Sequence, residues 1–205
     1  MYMDTLKAHY NESEKFHDDS INEEVASFFD TAPIMNNVVV HDSWEDLAKT
    51  WCDLSDEDEK DRQAPNWLVA FATHSDIIHI LSPAIMPAGH ENNSIIRFDK
   101  TLKHELSHLY VNHINSNVPS WLKEGTSLYV AEQNHHKKVD VDAITIPILK
   151  KLNATLTDGR AYDFGKTVVD QIVENFGKQK LFDIIAIRDK DERHTELKKM
   201  FDWLK

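Results

Sequence analysis

The sequence is poor in the residues that build disulfide frameworks and flexible linkers. Its 205 residues include one cysteine, Cys52, together with five glycines and six prolines. A single cysteine excludes an internal disulfide framework, and so few glycines and prolines leave little room for linkers. No apolar run reaches the roughly 18 residues of a transmembrane helix, and the first residues lack the basic and apolar regions of a secretory signal. We therefore expect a cytoplasmic protein without a membrane span.

Positive charge is also scarce. The chain has 23 lysines and arginines against 35 aspartates and glutamates, which gives a net charge of −12. Such an acidic protein is poorly suited to binding nucleic acid or an anionic membrane as its main partner. The hydrophobic content of 41% is that of an ordinary globular protein, and the length suffices for one domain with a substantial core. The sequence does not indicate an oligomeric state.

The first half of the chain predicts strands mixed with helices. Apolar residues recur at helical spacing over residues 20–30, and three valines at 38–40 predict a short buried strand. Ser43 is typical of a helix N-terminus. Two runs rich in β-branched and aromatic residues, 67–72 and 77–81, predict a hairpin. We expect its histidine, His79, to be half-buried. Four tryptophans are expected in the core: Trp44, Trp51, Trp67 and Trp121.

The second half predicts helices. One covers residues 99–115, and Pro119 fits the first position of the next. Further helices are expected over residues 144–152 and 162–175 and from residue 179 onward, with Gly177 as a C-cap.

The run His104-Glu105-Leu106-Ser107-His108 carries the clearest chemical signal. Two histidines four residues apart lie on one face of a helix, so both imidazoles can bind the same metal ion. Glu105 points about a quarter turn away, where a carboxylate can act as a general base. The pattern is that of zinc-dependent hydrolases, and it needs a third ligand.

Several residues could be that third ligand. A catalytic zinc site has three protein ligands and one open position. His113 follows His108 by five residues, which on a continuing helix directs it to the wrong side. Distant aspartates stay open. The remaining candidate is Glu124, within the stretch Trp-Leu-Lys-Glu-Gly at positions 121–125.

The motif at 104–108 together with the stretch at 119–125 resembles the gluzincin metallopeptidases, and most closely their small peptidase-MA-like members. The resemblance implies that Glu124 is the third zinc ligand. It implies an α+β, zincin-like fold. Residues 1–117 would form a lobe of mixed sheet and helices that includes the motif helix, and residues 118–205 a helical lobe. It also implies an edge strand that pairs with an extended peptide, for which Ile77–Leu81 is the candidate.

The same resemblance implies a reaction. Zn²⁺ held by His104, His108 and Glu124 would activate a water molecule for attack on a peptide bond. Glu105 would be the general base. Tyr162, before a helix of the second lobe, is our candidate donor to the oxyanion. The expected partner is a peptide or protein substrate. Two alternatives share the metal site: a catalytically inactive, zinc-binding regulatory or interaction protein, and a zinc hydrolase of a non-peptide amide.

One position departs from the thermolysin-like pattern, in which an aspartate four residues after the glutamate ligand orients a zinc-binding histidine. That position is Leu128 here. The histidine must therefore find another partner, and Asp163 and Asp170 are the candidates. No residue predicts the cleavage specificity. The aminopeptidase motif Gly-x-Met-Glu-Asn is absent, which favours an endopeptidase or a processing role.

Overall fold

A computed structural model describes residues 19–54, 63–73, 75–87, 89, 94–133, 139–152 and 159–201. The chain divides into two compact units, Met1–Leu106 and Ser107–Lys205. In the described residues the architecture is a small mixed sheet with eight α-helices, so the expected combination of helices and strands is confirmed. None of the described helices has both the length and the apolar character of a membrane span.

The first unit contains the strands. Its elements, in chain order, are α1 (Asp19–Phe28), β1 (Asn37–His41), α2 (Trp44–Leu54), β2 (Ala70–Ala72), β3 (Ile77–Leu81) and the first part of α3 (Ser94–Ile114). The predicted helices and strands of this region are present, but the strand predicted over residues 67–72 is confined to Ala70–Ala72. Ser43 caps α2, because its hydroxyl accepts a hydrogen bond from the backbone N–H of Asp46 at 3.1 Å.

The strand β3 lies in the middle of the sheet, whose order is β1-β3-β2. The predicted hairpin is confirmed, since β2 and β3 are antiparallel and Phe71 lies opposite His79. On its other side β3 pairs in parallel with β1, where Asn37 lies opposite Ile77. The expectation that Ile77–Leu81 is a peptide-binding edge strand is therefore wrong. Both sides of this strand are already used by the sheet's own hydrogen bonds.

The core of the first unit is formed by buried residues of the strands and by the inner faces of the helices. Ile78 and Ile80 of β3 are fully buried, as are Leu47 of α2 and Phe98 of α3. Trp67 was expected in the core, but it lies in the turn region before β2 and is 60% exposed. The prediction for Trp67 is wrong because it assumed that the strand begins at residue 67.

The second unit is helical in its described residues. After the end of α3 come α4 (Ser120–Val130), a 3₁₀ turn (Val141–Ala143), α5 (Ile146–Lys151), α6 (Arg160–Phe176), α7 (Lys178–Ala186) and α8 (Lys190–Met200). Pro119 is the N-cap of α4 and not its first residue. Gly177 ends α6 with a φ of 81°, a left-handed conformation that favours glycine.

Two helices of this unit meet at their backbones. Gly125 of α4 and Gly165 of α6 face each other, and both are buried. A Cβ atom at Gly125 would collide with the carbonyl group of Gly165, and one at Gly165 would collide with the carbonyl oxygen of Trp121. Glycine costs a helix interior about 1 kcal/mol relative to alanine. Here the missing side chains allow α4 and α6 to pack in direct contact.

The C-terminal end of α7 is capped by two side chains. Arg193 of α8 is 1% exposed and donates from Nε to the carbonyl oxygen of Ile184 at 3.3 Å and from its terminal nitrogen to that of Ile187. Asn115 donates from Nδ2 to the carbonyl oxygens of Ile185 and Ile187 at 2.9 and 3.1 Å. The last carbonyl groups of a helix lack partners within the helix, so these contacts connect α7 to α8 and to the segment that follows α3.

Candidate metal centre

The motif residues lie on a long, continuous helix. The helix α3 begins at Ser94, five residues before the predicted start, and ends at Ile114. His104 and Glu105 are each 8% exposed, and His108 is half-buried. The apolar residues Leu102, Leu106 and Leu109 of the same helix are buried in the core. The predicted helical placement of the two histidines is confirmed.

The carboxylate of Glu124 is also buried. It lies in the second turn of α4 and is 6% exposed. Burial lowers the pKa of its neighbour Lys123, and the carboxylate of Glu124 opposes that shift. A buried carboxylate is costly unless charged or hydrogen-bonding groups compensate it, so the surroundings of Glu124 matter for stability as well as for function.

His104, His108 and Glu124 come together in space. Each offers one ligand atom, and these atoms all lie within 4.8 Å of one another. The Nε2 atom of His108 is 3.5 Å from the carboxylate oxygen Oε2 of Glu124. Two ligand atoms of one tetrahedral zinc ion lie about 3.3 Å apart, given bond lengths near 2.0 Å. The donor set therefore fits a divalent metal ion, and the described residues contain no second group of this kind.

The second ring nitrogen of His108 has a partner as well. Its Nδ1 atom is 3.1 Å from the hydroxyl oxygen of Ser127. Ser127 is fully buried and follows Glu124 by three residues on α4. A helix places residues three apart on the same side, so α4 directs both Glu124 and Ser127 toward His108.

One of the two predicted aspartates, Asp170, is paired with a lysine, whereas the orienting role of Asp163 stays a prediction. Asp170 forms an ion pair with Lys166 at 2.5 Å, within one turn of α6. The ammonium group of Lys166 lies 5.4 Å from the ring centroid of Tyr129. Burial, followed by the charges of Asp170 and Glu174, raises the pKa of Tyr129. Asp163 lies in the first turn of α6. The residue that contacts Nδ1 of His108 is thus a serine, which the sequence reading did not predict.

The remaining predicted residues fall in two classes. His113 is exposed on α3 and is not part of the group, as expected. Tyr162 is half-buried in the first turn of α6, beside Asp163. Its role as an oxyanion donor stays a prediction.

The sequence does contain signals for the close contact at Gly125 and for the role of Ser127. A glycine inside a helical pattern often marks a close approach of another backbone, and Gly125 directly follows the proposed ligand. Ser127 lies three residues after Glu124, on the same face of the helix. Neither signal identifies its partner, since Gly165 and His108 are distant in the chain.

The chain was compared with protein-family models, curated proteins and solved structures, and none of the three comparisons found a match.

Proposed function

We propose that the protein is a zinc-dependent peptidase. The observation that carries the proposal is the group of His104, His108 and Glu124, whose ligand atoms all lie within 4.8 Å of one another. Two imidazoles and one carboxylate are a ligand set of catalytic zinc sites, which keep a position open for water. The peptide as substrate is inferred from the resemblance of the two-part motif to gluzincin metallopeptidases.

Each residue has a distinct proposed task. His104, His108 and Glu124 hold the ion, which when bound supplies a Lewis acid and a water of lowered pKa. Glu105 follows His104 directly on α3 and is as buried as that histidine. In the proposed reaction its carboxylate takes a proton from the attacking water and delivers it to the leaving nitrogen. Tyr162 is the proposed hydrogen-bond donor to the oxyanion.

One way to bind an extended peptide is to pair its backbone with a free sheet edge. The strand β3 is paired on both sides, whereas β1 and β2 each pair on one side in the described part of the sheet. Backbone pairing with a substrate uses the unpaired N–H and C=O groups of an edge strand. If the substrate is bound in this way, β1 or β2 must be the strand involved.

The substitution Glu105→Gln tests the proposal. It keeps the size of the side chain and removes its basicity, so Zn²⁺ should stay bound while hydrolysis falls by at least about a hundredfold. Glu23→Gln, at an exposed position of α1, is the matched control and should keep full activity. The measurement is hydrolysis of a broad peptide library and of a set of non-peptide amides, with products identified by mass spectrometry and zinc content determined in parallel.

Two results would redirect the assignment. In the first, the wild-type protein binds zinc and cleaves no peptide, and the Glu105→Gln variant behaves like it in every assay. The protein would then be a metal-binding protein without catalysis. Products that come only from non-peptide amides would place the enzyme in another class of zinc hydrolase.

A further inference from the structure

The contact between Ser127 and His108 indicates how one metal ligand is oriented. The hydroxyl oxygen of Ser127 lies 3.1 Å from Nδ1 of His108, and the side of the ring that carries Nε2 faces the carboxylate of Glu124, 3.5 Å away. The two nitrogens of the ring therefore face different partners. Nε2 is the nitrogen that lies near the carboxylate of Glu124.

We propose that Ser127 is the positioning residue of His108, which rests on the metal site of the proposed function. In this arrangement Nδ1 carries the proton and donates it in a hydrogen bond to the hydroxyl oxygen of Ser127. The lone pair of Nε2 is then free to bind the metal ion. Partners of this kind fix both the tautomer and the orientation of a ligand ring.

The position of Ser127 allows α4 both to supply one metal ligand and to orient another. Glu124 supplies a ligand, and Ser127 one turn later supports a ligand that belongs to another helix. Any shift of α4 along its axis would move both groups together relative to His108. The ligand from α4 and the ligand from α3 are thus held in register by one short segment of chain.

The chemical nature of the partner has a consequence for the metal. A carboxylate partner raises the basicity of a ligating imidazole, whereas the hydroxyl of Ser127 is neutral and does so less. His108 should therefore donate less electron density to the ion than a carboxylate-supported histidine does. The expected result is an ion that polarises its substrate more strongly and is bound less tightly.

Ser127→Ala removes the hydroxyl and should weaken Zn²⁺ binding by about ten- to a hundredfold. The matched control is Thr126→Val, at the neighbouring fully buried position, because the hydroxyl of Thr126 bonds to the carbonyl oxygen of Leu122 in its own helix at 2.7 Å. This control should leave Zn²⁺ affinity unchanged. Ser127→Thr keeps a hydroxyl and should restore most of the affinity.

Affinity is measured by competition between the protein and a chromophoric chelator for Zn²⁺, without any substrate. The visible absorption spectrum of the Co²⁺-loaded protein gives an independent readout, which should change in Ser127→Ala and not in Thr126→Val. A purely structural role for Ser127 would lower stability in the variant without changing this spectrum or the affinity of the folded fraction.

A measurement on the wild-type protein covers the case in which Ser127→Ala does not fold. Nitrogen-15 NMR of the Zn²⁺-loaded protein should show a proton on Nδ1 of His108 and the metal on Nε2. Metal on Nδ1, or unchanged zinc affinity in a folded Ser127→Ala variant, overturns the role of Ser127. Absence of peptide hydrolysis with zinc bound contradicts the proposed peptidase and leaves the role of Ser127 intact.

Discussion

The two compact units of this protein differ in the contacts that stabilise each of them internally. The first unit contains a three-stranded sheet with ionisable rings in its strands, whereas the second is built from helices that touch at their backbones. The first should therefore respond to pH, and the second to added volume. Glu124 lies in the second unit, next to Gly125. Its position therefore depends on the packing of α4 against α6, which no local sequence pattern specifies.

In the first unit two imidazoles meet in the sheet. Nε2 of His41 lies 3.1 Å from Nδ1 of His79, and the ring of Phe71 stacks on His79 with 4.8 Å between centroids. Burial, and then the charge of His41, lowers the pKa of His79 to about 4. Burial also lowers the pKa of His41, against the opposing charges of Asp46 and Asp42. The folded sheet therefore favours two neutral rings.

In the second unit the corresponding constraint is steric. The contact of Gly125 with Gly165 leaves no space for a methyl group on either helix. Protein interiors are packed as densely as organic crystals and relax only partly around an added atom. On the α4 side, this contact involves the backbone of Trp121 and of Gly125, the residue next to Glu124.

Gly165→Ala should have the largest effect on stability. Its Cβ would meet the carbonyl oxygen of Trp121, so we expect a loss of about 3 kcal/mol or more in the free energy of unfolding. Because α4 must then move, Zn²⁺ affinity should fall too. Urea denaturation and zinc titration measure the two effects.

Gly159→Ala is the matched control, since a Cβ there meets nothing within 4 Å, and it should change stability by less than about 1 kcal/mol. Equal stability of both variants would refute the steric account of α4 and α6.

Acid should destabilise the first unit. Between pH 6.5 and about 4 the unfolded chain protonates His79 and the folded chain does not. Stability should therefore fall as the pH drops through this window, by an amount on the order of 2 kcal/mol, and the loss should be complete below pH 4. Hydrogen exchange at the strands β1 and β3, followed from pH 7 to pH 4, locates the effect.

His79→Gln sharpens this test because it keeps a polar side chain and removes the ionisation. The pH dependence should become shallower, with a remainder from His41 and from the buried His194, whose pKa burial also lowers. His113→Gln, at an exposed position of α3, is the control and should behave as the wild type. An unchanged slope in His79→Gln would show that the imidazole pair is not the source.

The sequence predicted the features that depend on residues close together in the chain. The periodicity of α3 placed His104 and His108 on one face, and the turn between two β-rich runs predicted the hairpin of β2 and β3. Glu124 was found because its motif resembles that of a known family. The features that the sequence did not predict depend on contacts between segments that are distant in the chain. Residues 37–41 pair with β3 and convert the expected edge strand into an inner one, and Ser127 contacts a histidine 19 residues earlier in the chain. Neither pairing leaves a periodic trace in the sequence.

The proposed function depends on the binding of one divalent metal ion by His104, His108 and Glu124. The most direct test is a crystal structure grown with Zn²⁺, with anomalous diffraction data collected on both sides of the zinc absorption edge. The account predicts one strong anomalous peak about 2.0–2.2 Å from an imidazole nitrogen of each histidine and from a carboxylate oxygen of Glu124. No peak at these residues, or a peak coordinated by the histidines while Glu124 points elsewhere, would contradict it.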